Sequence, residues 1–393
     1  MRGPALTLLL VSSLTVMSGA TIAASLPALQ AHFSDTPGAA LLSRLVLTVP
    51  AAAIVVSAPL AGLLADRIGR RSLLVVSILL FSVAGASGLV LESLPALLVG
   101  RAALGLAVGA IMTVAGALAG DYFAGPQRQV FMGRQGAFTG IGGLVFITGG
   151  GFLAGLHWRA PFAIYGLALL LIPLVIAHLR NPPASDGAEP SCAAPVVPTA
   201  VRRDLVMLLY AAAVFNSVAF YLIPTQLPFL LEARGNTSPF LTGLAIGVAT
   251  IVSVAASLNF RRASARMSPP SLLAIGFGLM GLSYALVASY SSFTAVLAAM
   301  AIAGAGLGLM IPNLTSTALE LAPAASRGAV MGGLTAAIFL GQFLSPFVSQ
   351  PWAGAYGLPS AFGAMAVALV AVAALLFLHR ASRRRLLTSQ GRG

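Results

Sequence analysis

Arg101 is the residue whose type and place most plainly ask for chemistry. It stands in Arg101-Ala102-Ala103-Leu104-Gly105, inside the apolar run 95–119. A cation there costs several kcal/mol unless it meets water, a partner or a substrate. Facing a cavity, its guanidinium binds an anionic group or tunes a proton site; the competing reading is snorkelling to the surface. Proton coupling needs a group that changes charge within the membrane. The nine acids are Asp35, Asp66, Glu92, Asp121, Asp186, Glu189, Asp204, Glu232 and Glu320, and none falls in the middle of an apolar run. His32, His157, His178 and His379 are terminal as well. Asp35 and Glu232, reaching into a cavity, are the expected proton-coupling residues. The remaining mid-run polar groups are neutral: Asn216, Tyr221, Asn313 and Gln342. With Met17 and Phe138 they are expected to line a mixed apolar and hydrogen-bonding cavity. Such a lining suits amphipathic organic molecules better than sugars, although each polar residue could instead bond between helices.

What positions these residues follows from composition. Of 393 residues, 58% are hydrophobic and 8% charged, about a third of the charge that a soluble domain carries. A net charge of +13 raises the question of nucleic acid, but a mean hydropathy of +0.97 argues for a lipid bilayer and no nucleic-acid partner. All 22 basic residues are Arg, which excludes a Walker-A loop and Schiff-base chemistry. The single Cys192 excludes an internal disulfide and a Cys-built zinc site. No cofactor and no metal are expected, and the chain is not read as an enzyme.

A helix needs about 20 apolar residues to cross the hydrocarbon core. Charge-free runs and turn residues predict twelve, at 5–29, 40–64, 72–91, 95–119, 134–156, 160–180, 203–231, 240–259, 271–290, 293–319, 329–350 and 355–379. Reading the first as a cleaved signal peptide leaves eleven spans and spoils the repeat described below. With the N-terminus inside, 18 Arg fall on the inner side and three (Arg44, Arg159 and Arg234) on the outer, with Arg101 within the membrane. The positive-inside rule then places both termini in the cytoplasm, in a multi-pass protein of the cell membrane.

Shifted by 199 residues, the chain matches itself. Ser72-Leu73-Leu74 falls on Ser271-Leu272-Leu273, Gly105 and Gly109 fall on Gly304 and Gly308, and Asp121 and Arg128 fall on Glu320 and Arg327. Six spans per half make the halves parallel. The expected fold is an all-α membrane protein of twelve transmembrane helices in two pseudo-symmetric six-helix bundles. Residues 1–180 and 201–380 are the bundles. The Pro-rich segment 181–200 is a cytoplasmic linker, and 381–393 is a basic cytoplasmic tail suited to anionic headgroups.

Between spans two and three stands Gly62-Leu63-Leu64-Ala65-Asp66-Arg67-Ile68-Gly69-Arg70-Arg71. Gly62 allows close helix contact, Gly69 a turn with positive φ, and Asp66 can cap a helix N-terminus. This segment resembles the signature loop of the major facilitator superfamily, G-x-L-a-D-R-x-G-R-R. The resemblance implies a latch that holds the bundles in an outward-facing state, with Asp66 near the start of span eleven and Arg70 meeting Asp121. Gly62, Asp66, Arg67, Gly69, Arg70, Arg71, Asp121, Arg128, Glu320 and Arg327 are the gating candidates. In the second half the loop is Arg261-Arg262-Ala263-Ser264-Ala265-Arg266, without the Asp, so the latch is expected to be asymmetric. Arg101-x-x-x-Gly105 is similar to the family's motif in span four. Gly150-Gly151 and Trp158-Arg159-x-x-Phe162 look like its drug/proton antiporter branch, although Phe146-Ile147 replaces that branch's Gly-Pro.

The leading expectation is a secondary transporter, working as a monomer, that exports small amphipathic compounds or drugs by alternating access coupled to protons. The alternatives are an uptake or exchange carrier for a small anionic metabolite bound by Arg101 and, in another class, a non-transporting membrane sensor.

Overall fold

The computed structural model describes residues 2–123, 125–180, 203–323 and 326–390; the linker 181–200 lies outside them. Among the described residues, twelve helices are long and apolar enough to cross a membrane: Gly3–His32, Ala39–Ala65, Arg70–Leu89, Leu94–Tyr122, Val130–Leu156, Ala160–His178, Arg203–Ala233, Pro239–Leu258, Pro269–Ser289, Phe293–Leu321, Arg327–Tyr356 and Leu358–Leu378. These are spans one to twelve. Span one breaks after Ala20 and resumes at Leu26, and span six begins as a 3-10 helix over Ala160–Leu170. The last helix runs on to Gln390, so the basic tail continues span twelve. With an even number of spans, both chain ends lie at one face, here the terminal face; the other is the distal face.

The 199-residue repeat is legible in the contacts that hold each bundle together. Ser93 caps span four by accepting from Ala96 N, and Ser292, its repeat equivalent, caps span ten by accepting from Ala295 N. Gly105 of span four lies against the backbone of Pro50 in span two, and Gly304 of span ten against that of Ala249 in span eight. One helical turn on, Gly109 meets Ile54 and Gly308 meets Ser253. Both partner pairs are again 199 residues apart. A side chain at any of the four glycines would push the helices apart, the small-residue logic of membrane helix packing. Gly116, two turns beyond Gly109 on span four, meets nothing within 4 Å. It faces away because close contact between spans two and four ends before it.

Between bundles, span two packs on span eleven and span five on span eight. The latter contact is close at the distal end, where a Cβ on Gly151 would lie 2.9 Å from Pro239 O. One apolar core runs through the N-terminal bundle into the C-terminal one. A second, built on Leu209, Leu314, Ala318, Val330 and Leu334, belongs to the C-terminal bundle's terminal end alone. At that end a Cβ on Gly62, Gly136, Gly328 or Gly332 would meet no atom within 4 Å. The contact between spans five and eight runs from the distal end as far as Gly140 against Val254.

Candidate functional site

Arg101 is only 1% exposed and lines neither of the two cavities described below. Its Nε donates to Val46 O of span two at 2.9 Å and its Nη2 to Ser18 O of span one. The ring of Tyr165, from span six, lies 5.2 Å from the guanidinium carbon. Main-chain carbonyls disperse the charge and bind three helices to one another, and only Nη1 lacks a partner. Helix carbonyls are acceptors that sequence does not display, so this use of the cation was hidden.

Two more expected cavity residues are packing elements. Met17 is wholly buried in the core. Asn313, 1% exposed, donates from Nδ2 to Pro269 O at 2.8 Å and so ties span ten to the start of span nine. Asn216 is also 1% exposed, with neither amide atom paired. Tyr221 reaches across to the N-terminal bundle, where its hydroxyl would stand 2.9 Å from a Cβ on Gly19. Phe138 and Gln342 are half-buried.

The cavity in the terminal half of the N-terminal bundle has other walls. It measures about 120 Å³ and is lined by Ser12 and Thr15 of span one, Met112 and Ala115 of span four, and Gln135 and Thr139 of span five. Gln135 Nε2 donates to Ser12 Oγ at 2.8 Å. Every lining group is neutral. Sequence reasoning missed Ser12, Gln135 and Thr139. Polar residues three to four apart on facing helices, Ser12 with Thr15 and Gln135 with Thr139, were the available signal.

At the distal face, Arg44 was counted as an ordinary outer-end charge, but it is 3% exposed. Its Nε donates to Gln226 Oε1 of span seven at 2.9 Å and its Nη1 to Gln30 Oε1 at 2.8 Å, with the Phe229 ring centre 3.7 Å from its guanidinium carbon. Gln226 Nε2 donates onward to Ser349 Oγ at 3.0 Å and Gln350 Oε1 at 3.3 Å in span eleven. This chain of bonds bolts the two bundles together. It borders a cavity of about 290 Å³ whose walls include Glu232. Asp35, by contrast, is exposed in the turn before span two and lines neither cavity. Burial of Arg44 one turn into an apolar helix is the same sequence signal that singled out Arg101.

At the terminal face, Gly69 takes φ +84° and breaks the chain between spans two and three. That turn presents Arg70 to Asp121 in an ion pair and lets Arg71 donate to Ile176 O at 2.8 Å. Both contacts lie within the N-terminal bundle. The side chain of Asp66 lies outside the described residues. Arg67, Arg128, Glu320 and Arg327 are exposed. Among the described residues Glu320 and Arg327 form no ion pair with each other. Pro269 stands at the repeat position of Arg70, so the second half cannot copy that pair.

The family model for the Major Facilitator Superfamily matches residues 8–269 and 235–393. A triacylglyceride transporter of Mycolicibacterium hassiacum is 25% identical over 366 residues, covering 75% of this chain and 68% of that one. The 3-(3-hydroxy-phenyl)propionate transporter of Escherichia coli is 27% identical over 273 residues, covering 67% of this chain and 64% of its own length. A bacterial homologue of the human lysosomal transporter Spinster, solved inward-facing and occupied, superposes with a TM-score of 0.76 at 18% identity, over 96% of both chains. A twelve-span, two-bundle fold with a glycine-packed repeat and a family match along nearly its full length makes this chain a member of the Major Facilitator Superfamily, a membrane transporter and not an enzyme.

Proposed function

We propose that the protein exports small amphipathic organic compounds across the cell membrane by alternating access driven by protons. One observation carries this reading: the terminal-side cavity is lined by hydroxyl, amide and apolar groups and by no charge. Such walls accept an apolar body with a few hydrogen-bonding groups. The surplus of Arg at the terminal face supports a cytoplasmic position for it. The loop from Gly62 to Arg71 serves as the terminal gate, held in register on span four by the Arg70–Asp121 pair. Glu232, which shares the distal cavity with Arg44, is the acid assigned to proton coupling in place of Asp35. The protein works as a monomer.

Accumulation of an amphipathic dye tests this reading in cells. Cells lacking the protein should accumulate more dye than cells making it, and dissipating the proton gradient should abolish the difference. Equal accumulation in both sinks it.

A second reading, carriage of a small organic acid, is favoured by the unpartnered Nη1 of Arg101. Under it, Arg101→Met abolishes transport of acids. Under the first reading, that variant retains export of neutral and cationic compounds.

A further inference from the structure

The distal cavity has a chemistry of its own, independent of what the terminal-side cavity carries. Arg44 brings a full positive charge to its wall while 97% buried, and among the described residues no carboxylate lies within ion-pair distance. The two amides beside it have already committed their oxygens. Gln30 Oε1 accepts from Arg44 and Gln350 Oε1 accepts from Gln226, which leaves both NH2 groups to donate. The cavity therefore presents an excess of donors. Glu232, the acid in the lining, is exposed at the rim. The rest of the wall is apolar, with Phe229 and Leu358 facing a space of about 290 Å³.

We propose that this cavity is a binding site for a small organic carboxylate. Arg44 Nε donates to Gln226 and Nη1 to both Gln30 and the Ala40 carbonyl, so Nη2 is the nitrogen left to make a charge-assisted bond to a carboxylate oxygen. The NH2 groups of Gln30 and Gln350 supply further donors, and Phe229 with Leu358 covers the apolar body. A strongly hydrated inorganic anion gains nothing from that half of the wall and leaves its hydration shell at a cost. The walls come from spans one, two, seven, eleven and twelve, so a bound carboxylate touches both bundles. It therefore adds to the bolt that closes the distal face.

Equilibrium binding of radiolabelled benzoate to the purified full-length protein in detergent at pH 7 tests the site. The expected result is saturable binding of one benzoate per chain, displaced by unlabelled benzoate but not by equal concentrations of benzamide or sulfate. Arg44→Gln should weaken it at least tenfold, as loss of a charge-assisted pair requires. Glu232→Gln should tighten it about fivefold, by removing a like charge a few ångströms away. If Arg44→Gln does not elute as a folded species, Gln350→Leu, which removes one donor, should weaken binding about fivefold. Absence of saturable binding, equal displacement by benzamide or sulfate, or an affinity indifferent to both Arg44→Gln and Gln350→Leu would overturn the proposal.

Discussion

Replacing Gln226 with Leu should release the distal face. Gln226 accepts from Arg44 Nε at 2.9 Å and donates to Ser349 Oγ at 3.0 Å. The first bond involves a charge and contributes about 1.5–3 kcal/mol, and the second about 0.5–1.5 kcal/mol. Leu fills similar space and makes neither bond, so Arg44 Nε keeps its burial and loses its acceptor. When the face opens, water satisfies the same groups, so the loss falls on the closed state alone. A net shift of about 2–4 kcal/mol is a change in the open-to-closed ratio of about thirtyfold to several hundredfold. Ala353, which lines the distal cavity and is 8% exposed in the closed arrangement, reports on it. In a Cys192→Ser background, maleimide labelling of an Ala353→Cys variant should accelerate by at least an order of magnitude on adding Gln226→Leu. Gln226→Glu has the opposite sign, because a carboxylate facing Arg44 strengthens the bolt and slows labelling. Equal rates in all three would refute the argument that these bonds hold the face shut.

Other outcomes follow from the same geometry. Gly105→Ala and Gly304→Ala should each lower thermal stability by about 1–3 kcal/mol, because the added methyl meets the backbone of Pro50 or Ala249. Gly116→Ala, on the same helix as Gly105 but facing open space, should be neutral or raise stability by up to about 1 kcal/mol; a thermal-shift series in detergent compares all three. Asp121→Asn removes the partner of Arg70 from a pair whose side chains are each 31% exposed, so stability should change by less than about 1 kcal/mol. Turnover in a transport assay should fall nevertheless, if the pair positions the terminal gate. Glu232→Gln should abolish accumulation against a gradient driven by pH while leaving downhill exchange of the same compound intact.

The twelve helices and their repeat were legible because apolar length and small-residue spacing are properties of the sequence itself. Gly105, Gly109, Gly304 and Gly308 carry the same spacing in both halves, and the structure uses them for the same contact. The site was legible only in part. Arg101, Met17 and Asn313 stood out by type, but which way each faces depends on the rotation of its helix within the bundle. The partners of Arg101 and Asn313 are main-chain carbonyls, and these leave no mark in a sequence. Arg44 and Gln226 are 182 residues apart and meet only because the two bundles come together at the distal face. Ser12 and Gln135, joined across the terminal-side cavity, are 123 residues apart. Ordinary Ser and Gln residues acquire a role there from tertiary placement alone.

The central claim is that the uncharged terminal-side cavity carries amphipathic cargo at the expense of a proton gradient. It is tested most directly by transport in proteoliposomes with an imposed pH gradient, across a panel of neutral, cationic and anionic amphipathic compounds. The expected result is gradient-dependent movement of neutral or cationic compounds, weakened by Gln135→Ala and retained in Arg101→Met. Movement of organic acids alone, lost in Arg101→Met and indifferent to Gln135→Ala, would contradict it.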